Sequence, residues 1–369
     1  MSVGLVIARS ELERRRAKLR EREQKLGLWP DEPLAYGLRR MALGQVDLAL
    51  AMLGDASGAG GAPDERAVHE TRKAIKRLRA LLRMLRQELG ERSFQRENAT
   101  LRELADQLAG ARDAAVMLAT LDALLAREER RLGRRHGVLA LRRRLADESA
   151  RMRRLTLADP TARAEVLGEL HALRWRIAAW SLPASPGMRL VDADLERLYR
   201  QGRARRRRVL RGKGERTLAM HRWRKRVKDL RYAAEMLERR GDRGVGRSGR
   251  SRKARRAGGA SRQDRSLREL ATRADDLGEL LGEEHDLAVL AQHLRAGARG
   301  SGRRHGRAGD GTDALWHTGP GTRKALLKLI AKRRRKLRRR ALRKGERLYG
   351  QRPKRFMRGV RRAYRGSSS

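Results

Sequence analysis

Two eleven-residue stretches carry the side chains with the clearest chemical potential. His69-Glu70-Thr71-Arg72-Lys73-Ala74-Ile75-Lys76-Arg77-Leu78-Arg79 and His221-Arg222-Trp223-Arg224-Lys225-Arg226-Val227-Lys228-Asp229-Leu230-Arg231 lie 152 positions apart and are identical at six positions: His, Arg, Lys, Lys, Leu and Arg. Residues of these types hold anions. The Arg fork grips phosphate or carboxylate oxygens in pairs, while Lys acts as a movable point charge. On a helix, at 100° per residue, His69, Arg72, Lys73, Lys76, Arg79 and Arg83 share one arc, and Val68, Ile75, Leu78, Leu82 and Leu85 occupy the other. The second stretch projects His221, Arg224, Lys225, Lys228, Arg231 and Tyr232 against Val227, Leu230, Ala234 and Leu237. From His69 to Arg79, and likewise from His221 to Arg231, the row rises about 15 Å at 1.5 Å per residue, which suits a linear anion better than one small ligand. A single such stripe in an Arg-rich chain reads most simply as a solvated basic face. Its recurrence in phase is what favours a binding function.

A second internal match follows each row. Leu108 to Met117 (LAGARDAAVM) resembles Leu281 to Leu290 (LGEEHDLAVL), pairing Asp113 with Asp286 at an offset of 173, and the extra 21 residues equal the Arg-, Gly- and Ser-rich stretch from Gly241 to Ser261. Asp113 and Asp286 are expected to pair with Arg and Lys of the neighbouring helix and so hold those long side chains in position. His69 and His221 sit among cations that disfavour the imidazolium, so each is expected to stay neutral and donate one hydrogen bond to a phosphate or a backbone carbonyl. A buried structural histidine is the alternative. Glu283, Glu284, His285 and Asp286 form a His and acid cluster better read as helix surface or packing than as a metal site. His136, His171, His293, His305 and His317 carry no pattern.

Catalysis finds little support. The sequence has no phosphate-binding G-x-x-x-x-G-K loop, no His-x-x-x-His and no paired carboxylates facing a His pair, so the chain is expected to bind without turning anything over, with no cofactor and no metal. The absence of Cys excludes disulfide scaffolds, thiolate metal sites and cysteine nucleophiles. Ninety-two basic against 44 acidic residues leave a formal charge of +48, which an anionic partner would relieve. Only 3% of residues are aromatic, too few for a surface that stacks single-stranded bases.

The elements that must position these residues are helical. Leu, Ala, Arg and Glu recur at spacings of three and four, Pro is scarce, and β-branched runs are nearly absent, so the fold class is all-α. A charged N-terminal helix and turn occupy 1–31, with a capping box at Ser10 and Glu13. The turn from Trp29 to Pro33 starts a helix that runs through about Leu53, and a first four-helix half over 32–183 carries further helices of about 64–89, 93–132, 138–156 and 161–180. The Pro-containing segment 182–187 is the expected boundary. A second half over 188–350 carries helices of about 192–211, 216–240, 264–297 and 322–348, and 241–261 and 297–321 are loops with little to bury. A basic tail, 351–369, follows. The run from Lys332 to Arg340 is either a solvated tail or an added polyanion contact, and Trp175, Trp180 and Trp223 are expected in the core. No run is long and apolar enough to cross a bilayer, which predicts a soluble, cytoplasmic protein without membrane insertion.

The pattern His-x-x-Arg-x-x-x-Lys-x-x-Arg, then an Asp-bearing Leu-Gly element, then the same order again with Arg231-Tyr232-Ala233-Ala234-Glu235, resembles the CHAD domain over about residues 33–350. The resemblance implies two four-helix bundles related by a pseudo-twofold axis, with basic helices lining a central cavity that binds inorganic polyphosphate. It carries the ligand role onto His69, Arg72, Lys73, Lys76, Arg79, Arg83, His221, Arg224, Lys225, Lys228, Arg231 and Tyr232, with association to polyphosphate granules in the cytoplasm. The first Leu-Gly element departs from the pattern, reading Leu108-Ala109-Gly110-Ala111-Arg112-Asp113, and His285 precedes the second Asp. Non-specific nucleic-acid binding is the alternative, because +48 would hold any phosphate backbone.

Overall fold

Eleven α-helices make up most of the described residues. The computed structural model describes residues 24–54, 65–108, 110–127, 136–155, 159–184, 187–212, 215–239, 262–300 and 318–366. The helices are α1 (Leu34–Gly54), α2 (Glu65–Met84), α3 (Arg86–Gln107), α4 (Gly110–Arg127), α5 (His136–Leu155), α6 (Pro160–Ala178), α7 (Asp192–Arg211), α8 (Arg216–Leu237), α9 (Arg262–Gly300), α10 (Pro320–Tyr349) and α11 (Pro353–Gly366). Among the described residues there is no strand, only an isolated bridge between Leu28 and Arg239. No helix among them is long and apolar enough to cross a membrane. The expected N-terminal helix, the loop 241–261 and most of 297–321 lie outside the described residues, as does the side chain of Asp113.

Each half supplies a four-helix group. In the first, α1 packs on α2 and α6, and α2 on α3; in the second, α7, α8, α9 and α10 pack in succession. Two additions depart from the expected four-plus-four. The helix expected over 93–132 is two helices, because Leu108 leaves helical geometry (φ −92°, ψ 11°), and α3 already begins at Arg86, bending at Gly90, whose φ of +74° suits a residue without Cβ. The resulting hairpin of α4 and α5 packs away from its own half. Met117, Leu121 and Leu124 of α4 and Leu141 and Leu145 of α5 share a core with Leu290 and Leu294 of α9 and Leu326 and Ile330 of α10. A larger core joins α1, α2, α3 and α6 to α7, α8, the start of α9 and α11. Hydrophobic burial therefore ties the two halves together twice, and the boundary near 182–187 divides the chain without dividing its core.

The expected tail is also a helix over most of its length. Pro353 stands at the start of α11, and Phe356, Met357, Val360, Ala363 and Tyr364 recur at helical spacing and are buried. Phe356 stacks on Tyr199 of α7 with ring centroids 3.9 Å apart, and Arg361 donates to Asp192 at 2.8 Å. Trp223 and Trp180 are buried as expected. Trp175 is not: it is 73% exposed, because α6 buries the stripe Val166, Leu170, Leu173 and Ile177, and Trp175 projects from the opposite side.

Candidate functional site

The two cationic rows fall on α2 and α8, and the apolar arc of each helix drives it into the core. Val68, Ile75, Leu78 and Leu82 of α2 and Trp223, Val227, Leu230 and Leu237 of α8 are buried, each contributing about 1.5–3 kcal/mol. Glu65 in the first turn and Arg83 in the last turn of α2 complement the helix dipole. The Trp223 indole packs against Gly345 of α10, where a Cβ would come within 2.5 Å of the ring. That glycine lets α10 close on α8.

With the helices fixed in this way, the rows take different surroundings. On α2, Arg72 Nη1 donates to the Ala105 carbonyl of α3 at 2.7 Å, Arg79 Nε donates to Asn98 Oδ1 at 3.2 Å, and Lys73 pairs with Glu70 at 3.2 Å. Arg83 reaches across to Asp229 of α8 at 3.2 Å, and Arg226 pairs with the same buried carboxylate at 3.0 Å. Asp229 stands inside the second sequence motif yet was not singled out there. It is the carboxylate that joins the two rows. Lys76 is half-buried on α2, and His69 is exposed near the start of that helix. The rows converge at Lys225, an exposed residue whose ammonium is held below its usual pKa first by partial desolvation and then by the positive Arg79, Arg226 and Arg83.

On α8, Arg224, Lys228 and Arg231 line a cavity of about 650 Å³. Its other walls are α4, from Val116 to Arg127, α9, from Asp275 to Leu287 with Asp286 among its residues, and Arg333 of α10. No α2 residue lines it. The expected picture of two rows facing each other across one cavity is corrected in this respect: the wall from the first half is α4, because the break at Leu108 swings that helix over α9. Within the cavity, Arg231 donates to Glu235 at 2.7 Å and to Asp275, and Glu283 accepts from Arg333 at 2.6 and 2.8 Å and from Arg127 at 2.7 Å. Tyr232 leaves the row altogether. Its ring is buried in the main core beneath the Arg231 guanidinium, 5.6 Å from the ring centroid, and burial raises its phenol pKa.

His221 meets His285 of α9 with ring centroids 4.3 Å apart. Desolvation pushes both imidazoles down to about 4; His285, Lys225 and Arg224 add to the effect on His221, and Arg224, Lys225 and Arg334 to that on His285. The expected neutral His221 follows from this setting, and its cause is burial as well as the nearby cations. The adjacent Glu284 is almost wholly buried and pairs with Arg334 at 2.9 Å and Arg338 at 2.8 Å, so this carboxylate is engaged by α10. No group of three or more potential metal ligands occurs among the described residues.

The profile of the CHAD domain matches residues 49–249, more than half of the chain and both cationic rows. The chain belongs to the CHAD domain family. The CHAD domain from the plant Ricinus communis superposes with a TM-score of 0.58 at 21% identity, covering 89% of this chain and 96% of that one. PptA from Streptomyces chartreusis superposes with a TM-score of 0.51 at 19% identity, covering 85% of this chain and 99% of its own. No curated protein sequence matches the chain. At these identities the likeness is one of fold. It extends beyond the CHAD profile, whose match ends before α9 and α10, the helices that complete the cavity. The signals that could have pointed to those walls were Arg127 at the end of an apolar helix and the basic run from Lys332.

Proposed function

We propose that this CHAD protein binds inorganic polyphosphate without hydrolysing it. One observation carries the reading: Arg224, Lys228 and Arg231 of the family motif line an open cavity that helices of both chain halves wall, with Arg127 and Arg333 also in its lining. A row of cations along one helix neutralises successive charges of a thin chain, whereas a duplex is too wide to enter a cavity of about 650 Å³. The α2 row meets α8 at Lys225 and adds cations beside the same helix. Retention with polyphosphate in the cytoplasm is the localisation this implies. Hydrolysis would need a positioned nucleophile or metal and a general base. The carboxylates Asp275 and Glu283 instead accept hydrogen bonds from arginines, and His221 is enclosed by His285 and cations.

The test is a competition at physiological salt between long-chain polyphosphate and duplex DNA or RNA of equal charge. Polyphosphate should win, and equal or weaker polyphosphate binding would instead favour a non-specific nucleic-acid binder. Incubation with polyphosphate, ATP or tripolyphosphate plus Mg²⁺ or Mn²⁺ should release no phosphate; turnover lost on mutating a single acidic residue would refute the non-catalytic reading.

A further inference from the structure

The helix α10 divides its cations between two faces. Arg333, Arg334, Arg338 and Lys344 pair with Glu283, Glu284 and Asp276 of α9. The other set, Lys332, Arg335, Lys336, Arg339, Arg340 and Arg343, follows the spacing i, i+3, i+4, i+7, i+8, i+11, so it occupies one stripe. All six are exposed, and none has an ion-pair partner among the described residues. The stripe rises about 16 Å at 1.5 Å per residue. It forms one side of a groove of about 730 Å³, with Leu124 and Arg127 of α4 on the other side and Leu329 among its lining.

This groove is continuous with the cavity beside α8, because Leu124, Arg127 and Arg333 line both. Their charge differs sharply. The cavity sets five cations against the carboxylates of Asp275, Glu279, Glu283 and Asp286, whereas the groove has eight cations and no carboxylate. A side chain already paired to a carboxylate has less to offer a ligand than one held only by water. Six like charges along one helix face repel one another, a cost that an anion laid along them would relieve.

We propose that α10 carries a second segment of the polyanion site, so that one linear phosphate chain runs from the α8 cavity past Arg127 and Arg333 into the α10 groove. The proposal rests on the polyphosphate reading above and adds a length requirement. A short phosphate chain occupies the cavity alone. A long chain fills both segments, and the second engages at high effective concentration once the first is bound, which raises affinity by about a hundredfold without any new kind of contact.

Calorimetric titration of the full chain with tripolyphosphate, long-chain polyphosphate and duplex DNA tests this, using two variants whose helical content and melting temperature are checked first. The stripe variant is R335E/K336E/R339E/R343E, with the corresponding alanine variant as a substitute should charge reversal disturb the helix. The cavity variant is R224E/K228E. In the stripe variant, long-chain affinity should fall about a hundredfold while tripolyphosphate binding is unchanged. In the cavity variant both ligands should weaken. Retained long-chain affinity in a folded stripe variant overturns the second segment, as does an equal loss for tripolyphosphate or for duplex DNA, either of which would mark the stripe as a general source of attraction. A cavity variant that binds both phosphates normally removes the cavity from the site and defeats the continuous track. Wild-type protein that binds neither phosphate overturns the polyphosphate reading itself.

Discussion

Replacing Glu283 by Gln should tighten polyanion binding while weakening the fold. Glu283 stands where the α8 cavity meets the α10 groove, about one-third exposed, and accepts three charge-assisted hydrogen bonds at 2.6 to 2.8 Å from Arg127 of α4 and Arg333 of α10. This carboxylate serves both guanidinium groups as an internal anion; burial pushes its pKa up, and the hydrogen bonds and charge of Arg333 and Arg127 outweigh that and hold it below the usual carboxylate range. A phosphate chain crossing the junction must compete with it. Partly exposed pairs of this kind are worth roughly 0.2–1 kcal/mol each, so two of them set a competition of about 0.4 to 2 kcal/mol. Removing it should raise long-chain affinity about two- to thirtyfold, since 1.4 kcal/mol corresponds to a factor of ten. The arginines would then meet phosphate in place of Glu283, and the slope of log affinity against log salt should steepen by about one. The same change removes ties between α4, α9 and α10, so stability should fall by about 0.4 to 2 kcal/mol. Titration with long-chain polyphosphate at two salt concentrations, alongside a thermal melt, reads both effects. If folded E283Q protein binds more weakly than wild type, Glu283 acts to position Arg127 and Arg333 and the competition argument is wrong.

Other parts of the structure give further expectations. Gly345→Ala should cost about 1–3 kcal/mol in chemical denaturation, because its Cβ would lie 2.5 Å from the Trp223 indole; a neutral change would mean that α8 and α10 can separate freely. Trp223→Ala should cost about 3–5 kcal/mol, whereas Trp175→Ala, at a site 73% exposed, should change stability by less than about 0.5 kcal/mol. His221 and His285 titrate near 4 in the folded protein but near 6.5 when unfolded, so the unfolded chain takes up protons first as pH falls. Their contribution to stability is complete above about pH 6.5 and is lost toward pH 4. Melting temperature should therefore drop across that window, and His285→Gln should flatten the drop; an unchanged pH profile in the variant would show that the pair is not the source.

The amino-acid sequence alone determined the helical class and the residues that carry charge. Helix spacing set by 3.6 residues per turn places Arg224 and Lys228 opposite Val227 and Leu230 whatever the helix packs against, so the cationic arcs could be read without coordinates. The same periodicity was present at Phe356, Met357, Val360, Ala363 and Tyr364, and there it was obscured by the surrounding arginines, which made a docked helix look like a basic tail. Tertiary structure decided which cations are already occupied. Asp229 engages Arg83 and Arg226, Asp275 engages Arg231, and the carboxylates of α9 engage one face of α10. Those pairings join residues up to 146 positions apart and depend on how helices cross, which no local spacing encodes. It also decided that α4, freed by the break at Leu108, walls the cavity in place of α2, because its apolar face finds its partners on α9 and α10. Periodicity fixes which side of a helix is charged, and only packing determines whether that charge meets a carboxylate or is left for a ligand.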